Sequence, residues 1–140
     1  MKKQSLKNLF KKIIYVLNAS KTPYIVIGGI AAGVLGRPRF TEDIDLLIFI
    51  SKGKVKNLLE FFKRAGFEFN RETVENTILA RGIFRIFFGE FYADFFINVT
   101  EFGKKALKRA IEVELWEEKV KFPSPEDMII LKLIAGRKLD

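Results

Sequence analysis

The stretch from Tyr24 to Ile50, YIVIGGIAAGVLGRPRFTEDIDLLIFI, decides how this chain is read. Tyr24-Ile25-Val26-Ile27 is apolar and largely β-branched, the composition of a buried strand. Gly28-Gly29 permits a tight turn and close backbone approach. Residues 30–35 read as a short helix of small side chains closed by Gly36. Residues 37–42 form a polar loop, because Pro38 places them ahead of the next strand rather than in it. Asp43 to Ile50 is that strand, and its second half is apolar on both faces, which suits a central position covered on both sides.

The entrance to this strand carries chemistry. Side chains alternate along a strand, so Asp43 and Asp45 share one face while Ile44 and Leu46 enter the core. Two neighbouring carboxylates repel unless something positive lies between them. A magnesium ion meets that need, since it takes hard oxygens and completes its shell with water and substrate phosphate. Thirteen residues before Asp43, the pair Gly28-Gly29 opens a helix whose free amides, at the positive end of the dipole, can cradle phosphate. Taken separately, the acids also fit a solvated strand entrance and the glycines an ordinary strand-to-helix turn. The absence of Gly-x-Gly-x-x-Gly and of Gly-Lys-Ser/Thr excludes a Rossmann fingerprint and a P-loop.

Composition narrows the chemistry further. A length of 140 residues suits one domain spanning 1–140. With no Cys there is no thiol nucleophile or disulfide, and with no His the commonest neutral base is missing. Catalysis therefore falls to carboxylates, Lys, Arg, hydroxyls and an oxygen-liganded metal. The net charge of +8 suits polyanionic partners such as nucleotides or RNA, and serves solubility equally well. No secretory signal pattern opens the chain, and its longest apolar run is too short to span a bilayer. The expectation is a cytoplasmic protein with no membrane partner.

The remaining chain reads as scaffold. Leu6, Leu9, Phe10, Ile13, Ile14 and Leu17 recur at helical spacing between lysines, giving an amphipathic helix over 5–18. Its lysines either touch nucleic acid or form a solvated face. Val55, Leu58, Leu59 and Phe62 mark another helix, ending at Gly66. Phe67-Glu68-Phe69 alternates like a strand, and residues 71–80 fit a weak helix or an irregular lead-in. Gly82 to Phe88 and Phe91 to Val99 read as a hairpin about Gly89-Glu90. Phe102 to Ala110 is helical. Glu112–Leu115 and Lys119–Phe122 alternate as short strands around Trp116, an edge-packing or core residue. Ser124-Pro125-Glu126-Asp127 is a strong helix start, and the helix it opens runs to Ala135 with Gly136 as its stop.

Ile27-Gly28-Gly29, thirteen residues and then Asp43-Ile44-Asp45-Leu46 resemble the signature of the polymerase-β-type nucleotidyltransferase superfamily. Arg39-Phe40-Thr41-Glu42-Asp43-Ile44-Asp45 is similar to a subgroup that comprises minimal nucleotidyltransferases and AbiEii-type toxins of toxin–antitoxin systems. The segment from Pro123 to Arg137 looks like the later helix of that subgroup. The resemblance implies an α/β (α+β) fold, a mixed central β-sheet flanked by α-helices. It also implies transfer of a nucleoside monophosphate from a triphosphate such as ATP to an acceptor hydroxyl on RNA, tRNA or a protein. Two magnesium ions, or manganese in their place, are held in such proteins by three acids: here Asp43, Asp45 and, from the aromatic strand Phe91–Ile97, Asp94. Gly28, Gly29, Arg39, Thr41 and Lys132 fall where the family contacts the triphosphate. Lys132 either directs its ammonium into the site along an apolar stem or faces solvent. Many relatives have Ser where Gly29 stands, so only an N–H is offered there. Larger toxins continue beyond the final helix with a substrate-binding portion, and one rival expectation is a subunit of a toxin–antitoxin or other pair in which a partner protein supplies acceptor specificity or inhibits the toxin. The other rival expectation is a catalytically weak or inactive nucleotide- or RNA-binding module of the same fold.

Overall fold

The computed structural model describes residues 2–27, 43–97 and 100–139, with side chains described at 6–27, 44–97, 100–131 and 133. Helix α1 (Lys2–Ala19) buries Leu9, Phe10, Ile13, Ile14 and Leu17 completely, so the predicted apolar stripe is its inner face. It ends where Lys21 turns left-handed (φ 58°) and the Thr22 amide donates to the Leu17 carbonyl at 2.9 Å. Strand β1 (Tyr24–Ile27) follows, buried at all four positions.

Strand β2 (Asp43–Ile48) lies in the interior of a four-stranded sheet of order β1-β2-β4-β3, where β3 is Ile83–Phe88 and β4 is Phe91–Phe96. It pairs antiparallel with β1 and parallel with β4, so the sheet is mixed. The central position expected from the doubly apolar Leu46-Leu47-Ile48 is thus observed, although the strand stops two residues short of Ile50. The hairpin of β3 and β4 turns on Gly89, whose φ of 63° a side chain would resist.

Register divides the sheet into two faces. Val26, Leu46, Phe95 and Phe84 line one row of the first face, with Ile44, Ala93 and Ile86 in the next. All are buried in the main core under α1 and α2 (Val55–Arg64). Phe62 is the hub: its ring meets those of Phe67 at 5.5 Å and Phe95 at 5.3 Å in edge contacts. The opposite face carries Ile25, Leu47, Phe96 and Ile83 in one row, packed with α4 (Glu101–Lys108) and with Leu131 of α5 (Pro125–Leu139).

Several elements differ from the sequence reading. Residues 67–69 form no strand. Phe67 instead follows Gly66 (φ 97°) and donates to the Phe62 carbonyl at 3.1 Å, the hydrophobic helix-stop contact that also produces alternation. The ambiguous segment is a helix, α3 (Arg71–Arg81). Asn70 caps it by accepting from the Thr73 amide at 2.8 Å, and Gly82 stops it at φ 70°. Helix α5 runs through Gly136 to Leu139 rather than stopping there, since glycine weakens a helix by about 1 kcal/mol without forbidding it. The second sheet is the hairpin β5 (Ile111–Leu115) and β6 (Glu118–Phe122). Its turn residues Trp116 and Glu117 both have positive φ, and Trp116 offsets the strain by packing edge-on to Phe10 at 5.4 Å.

Candidate active site

Two of the three acids expected from sequence, Asp45 and Asp94, share the second sheet face. Asp45 pairs in register with Asp94 across the parallel strands β2 and β4. Neighbouring strands lie about 4.8 Å apart, so two side chains at paired positions rise together from one surface. Asp43 opens β2 opposite Tyr92; its side chain lies outside the described residues. So do Gly28, Gly29, the helix expected over 30–35, Arg39, Thr41 and the side chain of Lys132. Among the described residues no group of three acids clusters as a metal site.

The site contains a residue that the sequence reading missed. Arg85 of β3 is the register partner of Asp94 on its other side. Its Nε donates to Asp94 Oδ1 at 2.6 Å and one terminal nitrogen donates to Oδ2 at 3.0 Å, a bidentate ion pair. Asp94 is only 6% exposed, and an unpaired carboxylate buried that deeply would be costly. The fork of Arg85 meets that cost and fixes the plane of the carboxylate. One row across the sheet therefore reads Ile27, Asp45, Asp94, Arg85. A signal was present in the sequence: a two-residue turn at Gly89-Glu90 pairs Phe88 with Phe91, and counting back places Arg85 opposite Asp94.

Two further contacts complete the neighbourhood. The Arg85 guanidinium carbon lies 3.9 Å from the Tyr92 ring centroid, so the same cation covers an aromatic face. Beneath the apolar half of this face, α4 and α5 are joined by Arg109, whose Nε and terminal nitrogen both donate to Asp127 at 2.9 Å. Hydrogen bonds from Arg109 hold the Asp127 carboxyl below its ordinary pKa, against the opposing effect of burial. Ser124 caps α5 by accepting from the Asp127 amide at 3.2 Å, as the Ser-Pro-Glu-Asp motif predicts.

The paired carboxylates and the absence of any Cys or His ligand give an all-oxygen donor set, which fits a hard divalent cation rather than zinc. With an arginine at one flank, the row can hold positive charge and phosphate against one surface.

Comparisons with known proteins give the family and the fold. The model of the family described as "Nucleotidyl transferase of unknown function (DUF2204)" matches residues 6–140. A Thermotoga maritima protein, provisionally identified as a nucleotidyltransferase, has a similar structure with a TM-score of 0.65 at 17% identity, covering 98% of this chain and 88% of that one. The antibiotic-resistance factor ANT(2'')-Ia gives 0.64 at 16% identity, covering 99% and 75%. The lincosamide antibiotic adenylyltransferase LnuA, solved with lincomycin bound, gives 0.56 at 16% identity, covering 86% and 83%. At these identities the likeness establishes the fold. No curated protein matches the chain at a significant level. Among the described residues no helix is long and apolar enough to cross a membrane.

Proposed function

The chain belongs to this family of nucleotidyl transferases, and from that premise we propose that it moves a nucleoside monophosphate from ATP to an RNA hydroxyl. Nucleotidyl transfer is its reaction class; the donor, the acceptor and the metal are our reading. The observation that carries it is the register pairing of Asp45 with Asp94, which brings acids 49 positions apart (94 − 45) onto one surface. The +8 charge favours a polyanionic acceptor, RNA or tRNA, over a protein. The AbiEii-like run Arg39–Asp45 further supports a role as a toxin–antitoxin component held in check by a partner protein.

Asp43, Asp45 and Asp94 would hold two magnesium ions, or manganese in their place. Bound there, the metal supplies positive charge at the reacting phosphate and lowers the pKa of the attacking hydroxyl. In this reading Asp94 also accepts the acceptor proton, and the Arg85 ion pair, which orients its carboxylate, supports that role. Gly28, Gly29, Arg39, Thr41 and Lys132 bind the triphosphate, so the chain contributes position and electrostatics.

Asp43→Asn tests this. It should lower transfer from ATP to RNA by at least about 10²-fold while the circular dichroism spectrum and melting temperature stay close to wild type. Full transfer by that variant would refute the reading. A second reading has its own observation: Arg85 engages both oxygens of Asp94, an arrangement that also suits a binding module without catalysis. Calorimetry separates them. A transferase loses magnesium-ATP binding in Asp45→Ala, whereas a simple RNA binder keeps salt-sensitive RNA affinity regardless of Asp45.

A further inference from the structure

The sheet face that bears the acids continues into an aromatic step. Phe87 and Tyr92 are register partners on β3 and β4, their ring centroids 6.0 Å apart and tilted by 58°. Tyr92 is also paired with Asp43, so this step is the row adjoining Asp45, Asp94 and Arg85. Same-face neighbours along a strand lie about 6.8 Å apart, within the span of one nucleotide. Phe87 leaves 57% of its surface exposed, although burying such a ring is worth about 1.5–3 kcal/mol. The Arg85 guanidinium lies against Tyr92 and reaches Asp94, linking the step to the acids.

The order of the strands gives the step a direction. Ile27 pairs with Asp45 from the β1 side, and the chain runs on from Ile27 into Gly28-Gly29, which bind the triphosphate in the proposed function. The order β1-β2-β4-β3 therefore sets Ile27 at the end of β1, the acids and the aromatic step in that order across the sheet. Nucleotidyl transfer is an in-line displacement: the acceptor oxygen forms its bond to the α-phosphorus opposite the bond that breaks to pyrophosphate. The hydroxyl proton passes to Asp94. With pyrophosphate leaving on the β1 side, the acceptor must enter from the β3 side, over Phe87.

We propose that Phe87, supported by Tyr92 and Arg85, is an acceptor subsite on which the terminal base of single-stranded RNA stacks. The direction of entry rests on the transferase reading above. An exposed ring beside Tyr92, which itself carries the Arg85 guanidinium, on a chain of net charge +8, is a combination that suits single-stranded nucleic acid by stacking and backbone attraction.

The test uses the full chain, a fluorescently labelled single-stranded RNA dodecamer and, separately, magnesium with an unhydrolysable ATP analogue. Phe87→Ala should weaken RNA binding by about tenfold, the order of one lost base stack, with an unchanged salt slope because no charge is removed. Affinity for the ATP analogue should stay at the wild-type value, and Phe87→Trp should restore RNA binding. Loss of ATP-analogue affinity with RNA affinity retained would assign the ring to the donor base and overturn the proposal. Unchanged affinity for both would overturn it equally. Wild-type protein that binds the ATP analogue but no RNA would remove the acceptor subsite and leave nucleotide binding standing. Wild-type protein that binds neither would remove both.

Discussion

Replacing Arg85 with Met removes the guanidinium and keeps a comparable apolar stem. Asp94 then loses two hydrogen bonds, of 2.6 and 3.0 Å, while remaining almost fully enclosed. A hydrogen bond to a charged group contributes about 1.5–3 kcal/mol net. The Arg85 side chain is 46% exposed, so water screens the pair, and the two bonds together are worth about that same range rather than its double. For a chain of this size each kcal/mol moves the melting temperature by about 3–5 °C, which gives a fall of roughly 5–15 °C in metal-free buffer. Magnesium should recover much of the loss. The carboxylate that Arg85 no longer neutralises favours any cation beside Asp45 and Asp94, and a ligand that binds only the folded state stabilises it. Millimolar magnesium should therefore raise the melting temperature of Arg85→Met more than that of wild type. Arg85→Lys, which keeps the charge without the fork, should fall between them. Thermal melts by circular dichroism, with chelator and then with magnesium, read both effects. A variant that melts within about 1 °C of wild type in chelator, or equal magnesium shifts in the two proteins, would refute the assignment of Arg85 as the clamp on Asp94.

Two other expectations concern the scaffold. Asp127 has a folded pKa below its ordinary value because Arg109 donates to it. A depressed carboxylate contributes stability above its unfolded pKa of about 3.9, and that contribution is lost as pH falls through the folded value. Arg109→Met should therefore be less stable near neutral pH, and its urea midpoint should fall less steeply below about pH 4; a wild-type acid slope would show that the pair is not the source. Asn70→Ala removes the cap on α3 and should cost about 1 kcal/mol in urea unfolding, with a shift under ~0.3 kcal/mol counting against the role assigned to the Asn70–Thr73 bond.

Much of the fold was readable because its strong elements repeat one message at several levels. In α1 the spacing of Leu9, Phe10, Ile13, Ile14 and Leu17 agrees with complete burial. In β2 the apolar second half agrees with an interior strand in a mixed sheet. Where local signals conflict, the reading stayed open, as at 71–80, or went wrong, as at 67–69. Helix α3 buries only Val74, so periodicity could not reveal it, and its identity depends on Asn70 at one end and Gly82 at the other. Phe67 and Phe69 alternate, but Phe67 is spent on closing α2 against Phe62, a contact with no period. Trp116 and Glu117 form a tight turn without the glycine or asparagine that normally marks one, because packing of Trp116 on Phe10 fixes a conformation that local preference disfavours.

The site divides along the same line. Asp43, Asp45 and Asp94 stand out by type, since acids at a strand mouth or among aromatics have no ordinary reason to be there. Arg85 does not stand out, because an arginine in Ile-Phe-Arg-Ile-Phe-Phe reads as the wet residue of an edge strand, which by exposure it partly is. Its meaning lies in register, which the turn at Gly89 sets. A one-residue slip of β3 in that hairpin would turn Arg85 to the core face, toward Phe62 and Phe95, and leave Asp94 without its partner. The same slip would carry Phe87 off the acid face as well. Gly89 thus fixes both the charge beside Asp94 and the presence of Phe87 on the same face, so the hairpin turn shapes the candidate site although it carries no functional side chain.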